Sequence, residues 1–187
     1  MMQELSLNIL DVAQNSVKAG ASLITIAVEE DEQEDLLIIA IGDNGCGMTP
    51  QQVDRVTDPF YTTRTTRKVG LGIPFYSMQA KMTGGDFSIR SKVGEGTTVT
   101  AAFVTDHIDC LPLGDINATV VSLIQCNPDI DFVFARRIDD REFEMDTRVF
   151  REVLEGVPLN TPEVIAYIGE YLAEQTQMIQ GERKEAE

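Results

Sequence analysis

Three short segments of the chain combine residue types that can bind a metal ion and phosphate groups. The first is a predicted helix in which Asp11, Asn15 and Lys18 fall at positions i, i+4 and i+7, so that their side chains share one face. The second runs Asp-Asn-Gly-Cys-Gly from Asp43, directly after an apolar strand. The third, Gly-Leu-Gly at residues 70–72, opens a predicted helix, where glycines and free backbone N–H groups allow phosphate oxygens to approach. Together the three segments predict a nucleotide pocket.

The hydrophobic pattern predicts the elements that position these segments. A loop rich in threonine and arginine separates the second segment from the third, and we expect this loop to act as a mobile lid. In chain order, the predicted elements are a helix at 3–19, strands at 22–28 and 36–41, a short helix at 49–56, the lid at 57–69, a helix to about residue 82, and strands at 86–91 and 97–104.

The character of the sequence changes after His107, and we expect residues 1–106 and 107–187 to form separate units. The second unit is predicted to be a small α+β extension with a helix capped by Asp115, a hairpin, and two further helices, the first capped by Thr147. Residues 106–187 contain 7 basic and 18 acidic residues, a net charge of −11. Two roles stay open for the extension: it docks a partner or a second copy, or it packs over an open edge of the sheet.

The composition excludes several classes of function. The 187 residues carry a net charge of −16 at pH 7, which repels the phosphate backbone of nucleic acids. The three cysteines are scattered, which predicts free thiols and no cysteine-based metal site. The sequence shows no basic leader and no apolar run of membrane-spanning length. We therefore expect a cytoplasmic protein that binds neither nucleic acid nor membrane.

Taken in order, the motifs resemble those of the GHKL ATPases, which include gyrase, the large heat-shock chaperone, histidine kinases and mismatch-repair ATPases. The resemblance implies the Bergerat ATP-binding fold, a two-layer α/β sandwich with a mixed β-sheet and helices on one face. It rests on residues 11–21 as the N-box, 43–47 as the first glycine box, 59–64 as the Pro-Phe box and lid of nitrogen-regulator-type histidine kinases, 70–72 as the second glycine box, and 94–97, Gly-Glu-Gly-Thr, as the last one.

The same resemblance implies ATP and Mg²⁺ as ligands. Asp43 would accept a hydrogen bond from the exocyclic amine of adenine, and Asn15 would bind Mg²⁺ through its amide oxygen. Gly45 and Gly47 would let the chain pass under the base. The other predicted nucleotide-binding residues belong to the phosphate end and the lid, and they are Lys18, Phe60, Arg64, Lys68, Gly70, Leu71, Gly72 and Thr97. For the lysines, the arginine and the threonine among them, an ordinary role as a solvent-exposed or turn residue stays open.

Asp11 is the candidate catalytic residue. In hydrolytic members of the superfamily, the position four residues before the N-box asparagine carries a glutamate that acts as general base. Aspartate is one methylene shorter, so three roles stay open for Asp11. It acts as a base through a longer contact or a second water, it supports Mg²⁺ or the fold in a slow or inactive ATPase, or it belongs to a kinase whose acceptor lies on a partner.

Two classes of function follow from these residues. The first is slow ATP hydrolysis or phosphotransfer to an unknown partner protein in a regulatory role. The second is a non-catalytic, nucleotide-gated interaction module. A stand-alone domain of this kind also resembles anti-sigma-factor serine kinases, whereas the single histidine, His107, follows the domain and is a poor phosphoacceptor candidate. We expect the partner to dock through residues 107–187 and consider a homodimer compatible with the sequence.

Overall fold

The helices and strands follow the order that the hydrophobic pattern predicts. The computed structural model describes residues 4–57 and 72–181, so the predicted lid, apart from Thr57, lies outside the described residues. In chain order the elements are α1 (Leu5–Lys18), β1 (Leu23–Asp31), β2 (Leu36–Asp43), α2 (Pro50–Thr57), α3 (Gly72–Met82), β3 (Phe87–Lys92), β4 (Gly96–Val104), α4 (Ile116–Cys126), β5 (Asp131–Ile138), β6 (Arg141–Asp146), α5 (Thr147–Leu154) and α6 (Pro162–Gln180).

The six strands of the described ranges form one mixed sheet in the order β3-β4-β2-β1-β5-β6. β1 and β2 form a hairpin, and both β2 and β3 pair antiparallel with β4. On the other side, β1 pairs in parallel with β5, which forms a second hairpin with β6. The mixed sheet that the sequence predicts is therefore confirmed.

The helices cover one face of this sheet. Along β1, Ile24, Ile26 and Val28 are buried, while Thr25 and Ala27 on the opposite face are exposed or half-buried. α1, α3, α4 and α6 pack on the apolar face of the sheet. Each isoleucine buried there contributes about 1.5–3 kcal/mol relative to an exposed one. The predicted two-layer arrangement with helices on one face is confirmed.

The segment after residue 107 continues the same sheet. β5 pairs with the edge of β1 that β2 leaves open, and α4 packs on α1. The linker before α4 also caps the N-terminus of α1, because the N–H groups of Leu5 and Ser6 donate to the carbonyl oxygens of Pro112 and Leu113 at 2.9 and 2.8 Å. Both N–H groups belong to the first helical turn, which has no partners of its own. The proposed division into units at this point stays a prediction.

Two helix starts test the capping predictions. Asp115 caps α4 as predicted, and its carboxylate accepts a hydrogen bond from the third N–H of the helix at 2.9 Å. The prediction for Thr147 is wrong because Asp146 is the cap of α5 and accepts a hydrogen bond from the N–H of Arg148 at 2.9 Å. Thr147 is the first helical residue, and its hydroxyl accepts a hydrogen bond from the N–H of Phe132 at 2.8 Å. Its side chain therefore ties α5 to β5.

Two further features of the described ranges bear on the sequence predictions. Cys46, Cys110 and Cys126 are all free thiols, as predicted. None of the described helices combines the length and the apolar character needed to cross a membrane.

We predict that Gly96→Ala destabilises the protein far more than Gly94→Ala. Both glycines have positive φ angles, 115° and 80° respectively. A Cβ atom at Gly96 would lie 1.9 Å from the backbone oxygen of Asp43, whereas a Cβ atom at Gly94 would meet no atom within 4 Å. In urea denaturation, Gly94→Ala should lower the free energy of unfolding by about 1–2 kcal/mol, the cost of left-handed backbone. Gly96→Ala should lower it by at least about 3 kcal/mol. Equal losses would contradict the close approach of β4 to Asp43.

Candidate functional site

A pocket of about 210 Å³ opens where α1, the ends of β2 and β4, and the start of α3 meet. Most of its walls are apolar, and a few polar groups project from them, as is typical of a small-molecule site. Of the predicted site residues, Asn15, Asp43, Gly47 and Thr97 line the pocket. The described lining residues are Val12, Asn15, Ser16, Ala19, Ile41, Asp43, Cys46, Gly47, Met48, Val56, Ile73, Thr97 and Val99.

The carboxylate of Asp43 lies at the polar side of this pocket, at the last residue of β2. Its Oδ2 accepts a hydrogen bond from the hydroxyl of Ser16 at 2.6 Å, and its Oδ1 accepts one from the N–H of Gly45 at 2.9 Å. Each carboxylate oxygen keeps further acceptor capacity. Asp43 is therefore held in one orientation as an acceptor for a donor group in the pocket.

The loop after Asp43 is fixed to the protein at several points. The side chain of Asn44 accepts hydrogen bonds from the N–H groups of Ser22 and Leu23 at 2.9 and 3.0 Å. The backbone of Cys46 donates to the carbonyl oxygen of Ala19 at 3.0 Å. The loop is thereby held against the segment between α1 and β1, and these hydrogen bonds fix the part of the pocket wall that the loop forms.

The two glycines of this loop allow close contact with other parts of the chain. A Cβ atom at Gly45 would lie 2.8 Å from the Cβ atom of Ala19. Gly47 has a φ of 66°, and a Cβ atom there would lie 2.0 Å from the carbonyl oxygen of Lys92. Both glycines are therefore needed for packing of the loop against α1 and β3. A second role beneath a bound base stays a prediction.

The polar face predicted for α1 divides into three environments. Asn15 is half-buried and lines the pocket. Lys18, one turn further on, is exposed and is not among the lining residues. Asp11, one turn before Asn15, is half-buried and lies against the start of α3.

The contact between Asp11 and Gly72 brings two of the predicted segments together. A Cβ atom at Gly72 would lie 1.9 Å from Oδ2 of Asp11, so the carboxylate occupies the space that a side chain at this position would take. Gly72 is the first residue of α3, whose N-terminal end carries a partial positive charge. The negative charge of Asp11 therefore stabilises the start of α3 beside the pocket.

Thr97 has a structural role as well as a place in the pocket wall. Its hydroxyl lies 2.8 Å from that of Ser91, which also donates to the carbonyl oxygen of Gly96 at 3.0 Å. The Ser91 hydroxyl in turn accepts a hydrogen bond from the N–H of Met48 at 2.8 Å. Thr97 thus belongs to a network that joins β3, β4 and the loop after β2.

Several site residues were not predicted from the sequence, and others lie outside the described residues. Ser16 lies on the buried, mostly apolar side of α1, although a buried serine in an apolar stripe is itself a signal of a polar partner. The apolar walls, such as Val12 and Ile73, carry no sequence signal that separates them from ordinary core residues. The predicted residues outside the described ranges are Phe60, Arg64, Lys68, Gly70 and Leu71.

The described residues of the pocket offer too few ligands to hold a metal ion by themselves. The described ranges contain no cluster of three or more histidine, cysteine, aspartate or glutamate side chains able to hold a metal ion. Asn15 supplies a single amide oxygen at the pocket wall. Such a site suits Mg²⁺, which keeps several waters and takes other ligands from phosphate groups.

Comparison with known proteins identifies the part of the chain that carries this pocket. Residues 1–107 match the profile of the family described as histidine kinase-, DNA gyrase B-, and HSP90-like ATPase. A putative sensor protein of Shewanella frigidimarina is 31% identical over 109 residues, which cover 58% of this chain and 16% of that protein. Sensor protein SrrB of Staphylococcus aureus is 34% identical over 102 residues, 52% of this chain and 17% of that protein. The chain therefore spans about a sixth of the length of these relatives.

Two solved structures also resemble the chain. The N-terminal domain of a DNA repair protein superposes with a TM-score of 0.51 at 15% identity, over 78% of this chain and 52% of that chain. The MutL ATPase domain of Aquifex aeolicus, complexed with ADP, gives a TM-score of 0.49 at 16% identity, over 83% of this chain and 70% of that chain. At these identities the likeness concerns the fold alone.

We predict that Ser16→Ala weakens binding of ADP about tenfold, whereas Ser6→Ala leaves it unchanged. A hydrogen bond to a charged group contributes about 1.5–3 kcal/mol, and Ser16 provides such a bond to Asp43. Ser6 is a matched control because it is also a buried serine of α1 and also donates to a carboxylate, that of Glu4 at 2.8 Å. Titration calorimetry measures both affinities. Unchanged ADP affinity in Ser16→Ala would show that the orientation of Asp43 does not depend on this serine.

Proposed function

The chain belongs, through residues 1–107, to the histidine kinase-, DNA gyrase B- and HSP90-like ATPase family, and we propose that it binds ATP with Mg²⁺ to regulate a partner protein. ATP binding itself follows from the family. Mg²⁺, hydrolysis or phosphotransfer, the partner and a cytoplasmic location belong to this proposal. The relatives named as sensor proteins support a regulatory role.

The observation that carries the proposal is the fixed carboxylate of Asp43 in a mostly apolar pocket. Adenine is a flat, largely apolar ring whose exocyclic amine donates hydrogen bonds. The walls formed by Val12, Ile41 and Ile73 suit the ring, and the acceptor held by Ser16 suits the amine. We therefore assign the adenine to the Asp43 side of the pocket.

We assign the phosphate groups to the part of the pocket near Asn15 and the start of α3. The first N–H groups of a helix attract anions, and Gly72 opens α3 beside the pocket. Asn15, which lines the pocket, would offer its amide oxygen to Mg²⁺ bound by the phosphates. When bound, Mg²⁺ would neutralise phosphate charge and polarise the terminal phosphate for transfer. Lys18, Arg64 and Lys68 are candidates to add positive charge there.

The role of Asp11 decides between catalysis and gating. As a general base it would accept a proton from a water molecule, or from the hydroxyl of a partner's side chain, during transfer of the terminal phosphate. Its contact with Gly72 favours a second candidate function, because a carboxylate at the start of α3 also stabilises that helix. In this second case the bound nucleotide changes the shape presented to a partner and no phosphate is transferred.

We predict that Asn15→Ala removes the effect of Mg²⁺ on ATP affinity. The variant loses the amide oxygen assigned to the metal ion but keeps the Asp43 side of the pocket. In calorimetric titrations with Mg²⁺, ATP affinity should fall at least about tenfold, or 1.4 kcal/mol. In EDTA it should match that of the unaltered protein. The contrasting variant Asp43→Ala should lose affinity in both conditions. Full Mg²⁺ dependence in Asn15→Ala would remove this residue from the metal site.

We predict that Asp11→Asn lowers the rate of phosphate transfer about 100-fold, the scale of a general base. The asparagine keeps the shape of the side chain beside Gly72 but does not accept a proton. The assay follows released phosphate and protein-bound label from γ-labelled ATP with Mg²⁺. Asp106→Ala, at an exposed aspartate after β4, is the control and should retain the full rate. Tight ATP binding with neither product in the unaltered protein would favour the nucleotide-gated module instead.

A further inference from the structure

A second concave surface lies far along the chain from the nucleotide motifs. It is a groove of about 680 Å³ between β6, α5 and α6, which we name the α5/α6 groove. Its apolar lining includes Val149, Phe150, Val153, Tyr167 and Tyr171. All of these residues follow the segment that matches the ATPase family. The groove therefore needs an explanation other than nucleotide binding.

Three aromatic rings form a firm wall of the groove. The ring of Phe150 lies 6.1 Å from that of Tyr167 and 6.0 Å from that of Tyr171, and both contacts are edge-to-face. This is the favoured arrangement of aromatic pairs. α5 and α6 are thereby joined through their rings, and the surface that they present is well defined.

Apolar side chains of α5 point away from the core beside this wall. Val149 is 58% exposed and Val153 is 79% exposed, and their i, i+4 spacing places them on one face of the helix. Tyr167, on the facing helix, is 58% exposed. Single exposed valines are ordinary, but a continuous apolar surface of this kind marks an interaction site.

The rim of the groove is acidic. Glu144, Asp146 and Glu163 belong to its lining. Among the ion pairs of the described ranges, none includes Glu163. Two arginines lie nearby, but both are already engaged: Arg148 pairs with Asp146 at 2.7 Å, and Arg151 pairs with Asp131 at 2.7 Å.

The engagement of Arg151 is reinforced by the backbone. Its Nη2 also donates to the carbonyl oxygens of Pro128 and Ile130, at 2.6 and 3.2 Å. It is therefore held towards the start of β5. Arg148 also attracts Glu144, so Glu163 is the rim carboxylate to which the described residues supply no ion-pair partner. An apolar floor with a negative rim is complementary to an apolar surface bordered by positive charge.

Two possible occupants of the α5/α6 groove come from this protein itself, a second copy and the terminal residues, and both fit poorly. A second copy docked face to face would bring two acidic rims together. Pairing of the β6 edges of two copies would place Glu142 and Glu144 near like charges of the other copy. The terminal residues 182–187, Glu-Arg-Lys-Glu-Ala-Glu, offer a single alanine as apolar group. Neither occupant supplies both the apolar anchors and the positive charge.

We propose that the α5/α6 groove binds a basic amphipathic helix of a partner protein. Apolar side chains at helical spacing fill the space between Val149, Val153 and the tyrosines, while lysines or arginines face Glu144 and Glu163. The inference deepens the proposed function by assigning the partner's docking surface. Because the groove lies outside the nucleotide pocket, docking is measured without nucleotide.

The first test selects the partner chemistry directly. Displayed random peptides of about 16 residues, four to five helical turns, are selected on the full chain in the absence of ATP. The expected result is a family with apolar residues at i, i+4 and i+7 and a net positive charge. No enriched family, an acidic or neutral family, or an alternating period typical of a strand would overturn the proposal.

The second test places the selected peptide on the groove. In fluorescence anisotropy, Val153→Glu should weaken binding at least about tenfold, whereas Ile108→Glu should not. Ile108 is a matched control because it is 94% exposed, lies outside the groove and receives the same added charge. Thermal unfolding checks that both variants are folded. Equal binding by the two variants would overturn the assignment.

The third test separates charge from packing and the groove from the nucleotide pocket. Raising the ionic strength from about 0.01 M to about 0.15 M shortens the Debye length from about 30 to about 8 Å and should weaken peptide binding. Glu163→Gln should reduce this salt dependence, and an unchanged dependence would remove Glu163 from the interface.

Sedimentation of the free chain tests whether a second copy occupies the groove instead. A dimer that Val153→Glu breaks would identify a second copy as the occupant and overturn the proposal. ATP affinity should be equal in all three variants, so a failed nucleotide pocket and a failed groove give different results.

Discussion

The proposed nucleotide pocket depends on how the carboxylate of Asp43 is held. One oxygen accepts a hydrogen bond from Ser16 of α1 and the other from the N–H of Gly45, so the helix layer and the end of β2 are joined through one charged group. Gly45 fits beside Ala19, and Gly96 fits beside the backbone of Asp43. The residues around the carboxylate are small because the strands and α1 must approach this closely. Ligand recognition and packing therefore impose the same constraint on these positions.

Most of the fold follows from local sequence patterns, and the parts that do not are those decided by distant contacts. Continuous or alternating apolar residues predict the strands, and Asp115 predicts the start of α4 because capping is local. The cap of α5 was misassigned to Thr147, since its hydroxyl is used by Phe132 of β5. Parallel pairing of β5 with β1 has no local signature either, because it depends on which strand edge is free after the first hairpin forms.

The candidate site was predictable where its residues belong to short motifs. Asn15 and Asp43 were predicted from such motifs, and both line the pocket. Ser16 was missed because it lies in an apolar stripe, and its role depends on a partner 27 residues away. The contact of Asp11 with Gly72 shows how two motifs that are distant in sequence become neighbours, since α1 and α3 pack side by side. Periodicity alone does not reveal such pairs.

The hydrogen bonds from Leu5 and Ser6 to Pro112 and Leu113 have a consequence for synthesis on the ribosome. α1 emerges before its partners, and two of its N–H groups acquire their acceptors only after about a hundred more residues have been made. The parallel neighbour of β1 arrives later still. Contacts between distant segments form slowly because the chain must first close a long loop. The helix that carries Asn15 therefore completes its native contacts only after the segment that contains β5 has been made.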